Sequence, residues 1–206
     1  MRLLLADNDA LGKIAHWELL DCIPQVVGGT WHDVAVLDTL LHRTRRAAAG
    51  KSDKLFASPA IAARLLAHLD MAQMVSLPPP EIRALLTDHA GIDPGEQILF
   101  GALLVQPSGL LLTGDKRALS ALPECLSPEH LLALAGRCIC IEQFIVVAIA
   151  HLGLAEVQRR MRPYVGRDTA ARIIMGSACD ATATNVYAAL DSYINDIRER
   201  ADPLLR

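Results

Sequence analysis

The sequence predicts an α/β protein built around a parallel sheet, followed by a helical C-terminal extension. Three observations predict it. Short apolar runs alternate with longer segments of helical period through residue 141, several of those segments open on proline, and only helical periodicity remains afterwards.

The apolar runs place strands at residues 2–6, 25–27, 72–77, 109–113 and 137–141. Helical patterns occupy 10–22, 30–46, 59–69, 80–89, 94–105 and 116–122. Pro59, Pro80 and Pro94 suit the first helical position, where the missing N–H would have no intrahelical partner anyway. The connection 47–58, containing Gly50-Lys51-Ser52-Asp53-Lys54, reads as an exposed loop. Beyond residue 141, helices are expected over 142–151, 154–162, 168–179 and 183–200, with a break at Pro163 and Gly166. This divides the chain into an α/β domain, 1–152, and a helical extension, 153–206.

A chain of 206 residues with 52% apolar side chains can bury a full core. Lys and Arg total 20 against 23 Asp and Glu, and a net charge of −3 exerts no global pull on nucleic acid. Any phosphate-binding surface must be local. Two basic patches offer themselves: Arg43, Arg45, Arg46, Lys51 and Lys54, and Arg159, Arg160, Arg162 and Arg167. With aromatics at 4%, a base-stacking platform is not expected.

Cys22, Cys125, Cys138, Cys140 and Cys179 are odd in number and lack C-x-x-C spacing, which fits a reducing, cytoplasmic setting. The N-terminus is too brief and too acidic for a signal peptide. The most apolar stretch, 144–150, is far too short to span a bilayer.

Three acids carry the functional argument. Asp7 follows the first apolar run in Leu3-Leu4-Leu5-Ala6-Asp7-Asn8-Asp9. Glu96 ends Gly91-Ile92-Asp93-Pro94-Gly95-Glu96, and Asp115 ends Thr113-Gly114-Asp115. Each alone is explained as a helix cap, and Asp93 with Glu96 has the spacing of a capping box. Together they point elsewhere, because Asp7 and Asp115 fall past strand ends, where open parallel sheets bind ligands. Carboxylates converging there repel one another unless a divalent cation neutralises them, so the cluster predicts Mg²⁺ or Mn²⁺.

The strings LLLADNDAL, GIDPGEQILFGALL and GLLLTGDKRAL resemble the PIN-domain family of metal-dependent ribonucleases over about the first 150 residues. The resemblance implies a three-layer α/β/α sandwich and endoribonuclease activity with Mg²⁺ or Mn²⁺. It assigns the catalytic metal ligands to Asp7, Glu96 and Asp115, with Asp9 and Thr113 in support. The family's further acid falls on Asp33, in Thr30-Trp31-His32-Asp33, with Asp38 as the other choice. Arg43, Arg45, Arg46, Lys51 and Lys54 become RNA contacts, and Lys116 or Arg117 either reaches the scissile phosphate or is simply solvated. The toxin-type members of the family imply an antitoxin-like protein partner or a homo-oligomer.

Two other readings compete. A PIN-like fold with an altered acid set serves as an RNA- or protein-binding module without catalysis. Asp7-Asn8-Asp9 also fits the entry motif of haloacid-dehalogenase-like phosphatases, with Asp7 as nucleophile, but a later Asp-Asp pair and a well-separated lysine are missing. A receiver domain lacks a strand ending in an acceptor Asp near residues 50–60. A phosphate loop ending in Gly50-Lys51-Ser52 is excluded by Arg45, where the motif requires glycine.

Overall fold

The central strand is the first apolar run. In the computed structural model, which describes residues 2–87 and 89–206, β1 (Leu4–Ala6) runs parallel to β2 (Val34–Val36) on one side and to β4 (Leu110–Thr113) on the other. Leu4 faces Val34 and Leu110. β3 (Gln73–Met74) lies beside β2 and β5 (Cys138–Cys140) beside β4, giving an all-parallel sheet ordered β3-β2-β1-β4-β5. β1, β2, β4 and β5 are buried throughout, which is why they read as apolar runs rather than as alternating patterns.

Helices pack on both faces. Within the α/β part they are α1 (Asn8–His16), α2 (Asp38–Ala48), α3 (Pro59–Leu69), α4 (Pro80–Ala84), α5 (Pro94–Val105), α6 (Lys116–Cys125) and α7 (Pro128–Leu134). The chain then continues through α8 (Ile141–Leu152), α9 (Leu154–Met161), α10 (Thr169–Met175) and α11 (Ala183–Arg200). The expected prolines do open their helices, with Ser58 capping α3 and Asp93 capping α5.

The second strand is displaced from its expected place. Residues 25–27 fall at the end of a 3-10 helix, Leu20–Val26, where Pro24 has no N–H to give to a ladder. The strand lies instead within 30–46, which reads as one helix in the sequence. There Thr30 and Asp33 form a capping box that closes a single 3-10 turn, Trp31–Asp33. The β-branched segment Val34–Val36 then runs extended, and the helix begins only at Asp38. The helix expected over 10–22 ends at His16, and α7 was not expected at all. The range 80–89 is helical over Pro80–Ala84; it crosses Asp88, which lies outside the described residues.

The helices after residue 152 are integral to the core. Val157, Met161, Ile174 and Leu190 join Leu4 and Leu112 in the apolar cluster on one face of the sheet. Ile194, Ile197 and Leu204 join Leu5 and Leu111 on the other. The tail also covers the free edge of β5: Cys138 N–H donates to Leu204 at 2.9 Å and Arg206 N–H to Cys138 at 2.8 Å. Among the described residues no helix is long and apolar enough to cross a membrane, and the five cysteines are free.

Candidate active site

The chain runs from β1 outward through β2 to β3, then crosses back to β4 and β5. The sheet therefore switches direction between β1 and β4, and their carboxyl ends flank a crevice. Asp7 is the first residue past β1. Its backbone N–H donates to the Leu112 carbonyl at 2.9 Å, which sets Asp7 beside Thr113 at the end of β4.

Each acid of the crevice is held by a helix start. Asp7 caps α1, accepting from Ala10 N–H at 3.4 Å. Burial, then the Asp9 charge, push its carboxyl up to about 6, against bonds from the Ala10 and Asn8 backbone. Asp115 caps α6 and accepts from the N–H groups of Arg117 at 2.8 Å and Ala118 at 3.1 Å. Burial pushes Asp115 up, but these bonds and the Arg117 guanidinium, 3.1 Å from Oδ2, outweigh it and hold the group below the usual range. Thr113, buried, accepts the Asp115 N–H on Oγ1 at 3.1 Å, which fixes the turn.

Glu96 sits in the first turn of α5, which packs against β1 and β4. It and Asp93 close a reciprocal capping box, with Glu96 N–H to Asp93 Oδ1 and Asp93 N–H to Glu96 Oε2 both at 2.8 Å. Glu96 is only 7% exposed. Burial first, then the Asp115, Asp93 and Asp7 charges, push its carboxyl up to about 8. Asp93 is thus a fourth acid of the cluster, one that sequence reasoning treats only as a cap. The capping box was itself the signal, because it puts both carboxylates at one helix start.

Asp33, expected among the site acids, is not brought to this crevice. That residue precedes β2, so it lies at the opposite end of the parallel sheet from Asp7 and Asp115. There its Oδ2 accepts from Thr30 N–H at 2.8 Å and Thr30 Oγ1 at 3.3 Å, and it lines a small cavity with Arg2 and Gln73. The displacement of β2 is the cause, since a helix over 30–46 would have put Asp33 after a strand. Asp38, exposed in the first turn of α2, follows β2 and lies at the carboxyl end. Nearby, Asn8 Nδ2 donates to Thr39 Oγ1 at 3.4 Å, while Asn8 Oδ1 is buried without a partner among the described residues.

The expected supports and RNA contacts separate. Asp9 is exposed, and its charge acts on both Asp7 and Arg43. Arg43 is committed to Asp53 at 2.7 Å, whereas Lys54 opens onto a cleft beside α1. Arg45, Arg46 and Lys51 are exposed at the end of α2 and just beyond it. In the second basic patch, Arg159 and Arg160 are spent on Glu156. Lys116 lines a cavity with Asp9 and Asp115, but its ammonium is engaged elsewhere, 2.5 Å from the fully buried Glu142 and 4.3 Å above the Tyr193 ring. Arg117 is 86% exposed and pairs with Asp115.

The donor set of carboxylate oxygens is the chemistry that hard divalent cations select. Asp7 and Glu96 are lifted by burial first and by neighbouring carboxylates second, and both costs of holding a negative charge there are ones that such a cation relieves. Among the described residues, however, no three His, Cys, Asp or Glu side chains converge on a point able to hold an ion; Glu96 Oε2 and Asp115 Oδ1 serve their helix starts, and Asp115 Oδ2 is on Arg117. No protein-family model, curated protein or solved structure matches this chain.

Proposed function

We propose that this α/β protein is a PIN-like, metal-dependent endoribonuclease with its acid cluster at the β1–β4 switch point. The observation that supports it most is the gathering of Asp7, Asp93, Glu96 and Asp115 at one crevice, with Asp7 and Glu96 both lifted by burial and by neighbouring acids. Asp7, Glu96 and Asp115 would hold the cation, with Asp93 and Asp9, whose charges act on Asp7, and Asp38 at the carboxyl end of β2 as additional donors. When bound, Mg²⁺ or Mn²⁺ supplies charge for the phosphate oxygens and lowers the pKa of an attacking water. Thr113 keeps the Asp115 turn in place, and Arg117 stands at the mouth of the crevice, available to a phosphate oxygen once released from Asp115.

A second reading is a binding module that takes RNA without cutting it. The turned-in carboxylates of Glu96 and Asp115 favour it. Incubating a structured RNA mixture with Mn²⁺ and either the wild type, Asp7→Asn or Asp115→Asn decides between them. The nuclease reading expects cleavage by the wild type and at least a hundredfold loss, on the order of 3 kcal/mol in the barrier, in each variant. Equal cleavage by all three removes the assignment, and no cleavage with retained RNA binding supports the module.

A further inference from the structure

Beside the acid cluster lies a cleft of about 400 Å³ that the proposed function leaves unassigned. Its floor is α1, through Asp9, Lys13 and His16. One wall is the connection carrying Lys54 and Leu55. The other is built by Tyr164, Arg167 and Asp168, in the C-terminal extension and outside the part of the chain that resembles the PIN family.

The first wall, expected as an exposed loop, is clamped to α1. Leu55 seats directly on Gly12, where an added Cβ would lie 2.2 Å from Leu55 Cδ1. Arg43 donates to both oxygens of Asp53, at 3.0 and 2.7 Å, and Asp53 Oδ1 accepts Leu55 N–H at 2.8 Å. Ala57 N–H donates to His16 Nε2 at 3.1 Å, so Nδ1 carries the proton facing the Gly12 carbonyl at 2.7 Å. That is a neutral ring; burial, and then the Arg167 and Arg64 charges, lower its pKa, against the bond to Gly12. The ring meets Tyr164 edge-on at 5.2 Å, tying the two walls together. On the far side, Lys13 lies 2.7 Å from Asp168, which caps α10 through Ala171 N–H at 2.8 Å.

These contacts neutralise Lys13 and Arg43. Lys54 and Arg167, both exposed and on opposite walls, have no carboxylate partner among the described residues. Asp9, exposed on the floor, is the carboxylate of the lining without a cation at salt-bridge distance among the described residues, so Lys54 and Arg167 leave the cleft with one positive charge in excess. Cations carried on anchored backbones on either side of it match the negative charge and spare acceptor oxygens of a phosphodiester. The cleft also opens toward the acids, because Asp9 and Lys13 line both it and a second cavity, of about 270 Å³, that contains Asp115 and Arg117.

We propose that Lys54 and Arg167 form a phosphate subsite for single-stranded RNA, which passes from the cleft over Asp9 and Lys13 to the crevice at Asp115. The inference rests on the nuclease reading for its direction of travel, though not for the binding itself. It explains why the C-terminal helices are built into the same body as the acid cluster: they supply half of the subsite.

The test measures anisotropy of a fluorescein-labelled oligouridylate in EDTA, so that binding is read without cleavage, across a range of salt concentrations. Wild type, Lys54→Ala, Arg167→Ala, the double variant and Arg198→Ala are compared; Arg198 lines a different cavity and serves as control. Each single variant is expected to weaken binding and to reduce the slope of log affinity against log salt by about 0.7, and the double variant by about twice that. Arg198→Ala keeps the wild-type slope. A slope unchanged in the double variant, or no binding by the wild type, overturns the proposal. Cleavage with Mn²⁺ is scored separately: a lost slope without any cleavage keeps the subsite and removes the nuclease, whereas unchanged slope and unchanged KM with intact cleavage do the reverse.

Discussion

Asp93 and Glu96 grip each other across the first turn of α5, each accepting the other's backbone N–H at 2.8 Å. The arrangement fixes a helix start and also buries an acid among acids, which is why the Glu96 carboxyl is pushed up to about 8. Its folded-state pKa lies above the ordinary value of 4.5, so the native state holds that proton more tightly than the unfolded chain. Stability is therefore fully present below 4.5 and is lost as pH rises through 8. The metal-free protein is expected to melt at a lower temperature at pH 8.5 than at pH 5.5, by a free-energy difference on the order of a few kcal/mol. Glu96→Gln keeps an amide oxygen for the Asp93 N–H and removes that part of the slope, which thermal melts at the two pH values check.

Asp33 stands at the wrong end of the sheet for the chemistry and in the right place for a cap. Asp33→Ala should cost about 1 kcal/mol, the usual loss for a helix-start side chain, and leave Mn²⁺-dependent cleavage at the wild-type rate. Asp38→Asn, at the carboxyl end of β2, should instead reduce cleavage. Urea unfolding and a cleavage time course on both variants separate the two effects, and a cleavage defect in Asp33→Ala alone contradicts the placement.

The seat of Leu55 on Gly12 holds the 51–57 connection against α1. Gly12→Ala puts a methyl group where Leu55 Cδ1 already sits, and the strain of overpacking is expected to cost about 1–3 kcal/mol. The connection, freed from α1, should become the first site cut under limited proteolysis. Cutting at the same site and rate in wild type and variant contradicts the clamp.

Glu142 is fully buried after β5, and Lys116 alone, 2.5 Å away, supplies its counter-charge among the described residues. Lys116→Met strands a buried carboxylate and is expected to destabilise the fold by about 3–5 kcal/mol. Replacing both, as Lys116→Met with Glu142→Leu, should restore most of the loss. A double-mutant cycle read by denaturant midpoints measures it; additive losses mean the two are not coupled.

β1, β4 and β5 were legible as apolar runs because each is buried throughout, and β3 fell within the 72–77 run although Gln73 and Met74 are exposed. β2 was not legible, since Val34–Val36 is too short to show a period of two and lies within a longer segment of apolar spacing. That one displacement moved Asp33 to the wrong end of the sheet. Asp7, Glu96 and Asp115 could be singled out in the sequence because each follows a strand or opens a helix with a motif of its own. Asp93 was read only as a cap, although capping is what put it in the crevice. α7 had its start signal, Ser127 before Pro128, and was missed for want of a longer pattern. The cleft was invisible in the sequence, since Lys13, Lys54 and Arg167 come from three separate segments joined only by packing.

Calorimetric titration of Mn²⁺ into the metal-free protein at pH 7.5 tests the central claim most directly, by comparing the wild type with Asp7→Asn. A saturable heat at millimolar metal or below, lost in Asp7→Asn and retained in Asp33→Ala, is the predicted result. No heat from the wild type, or the same isotherm from Asp7→Asn, would contradict a cation site at the β1–β4 crevice.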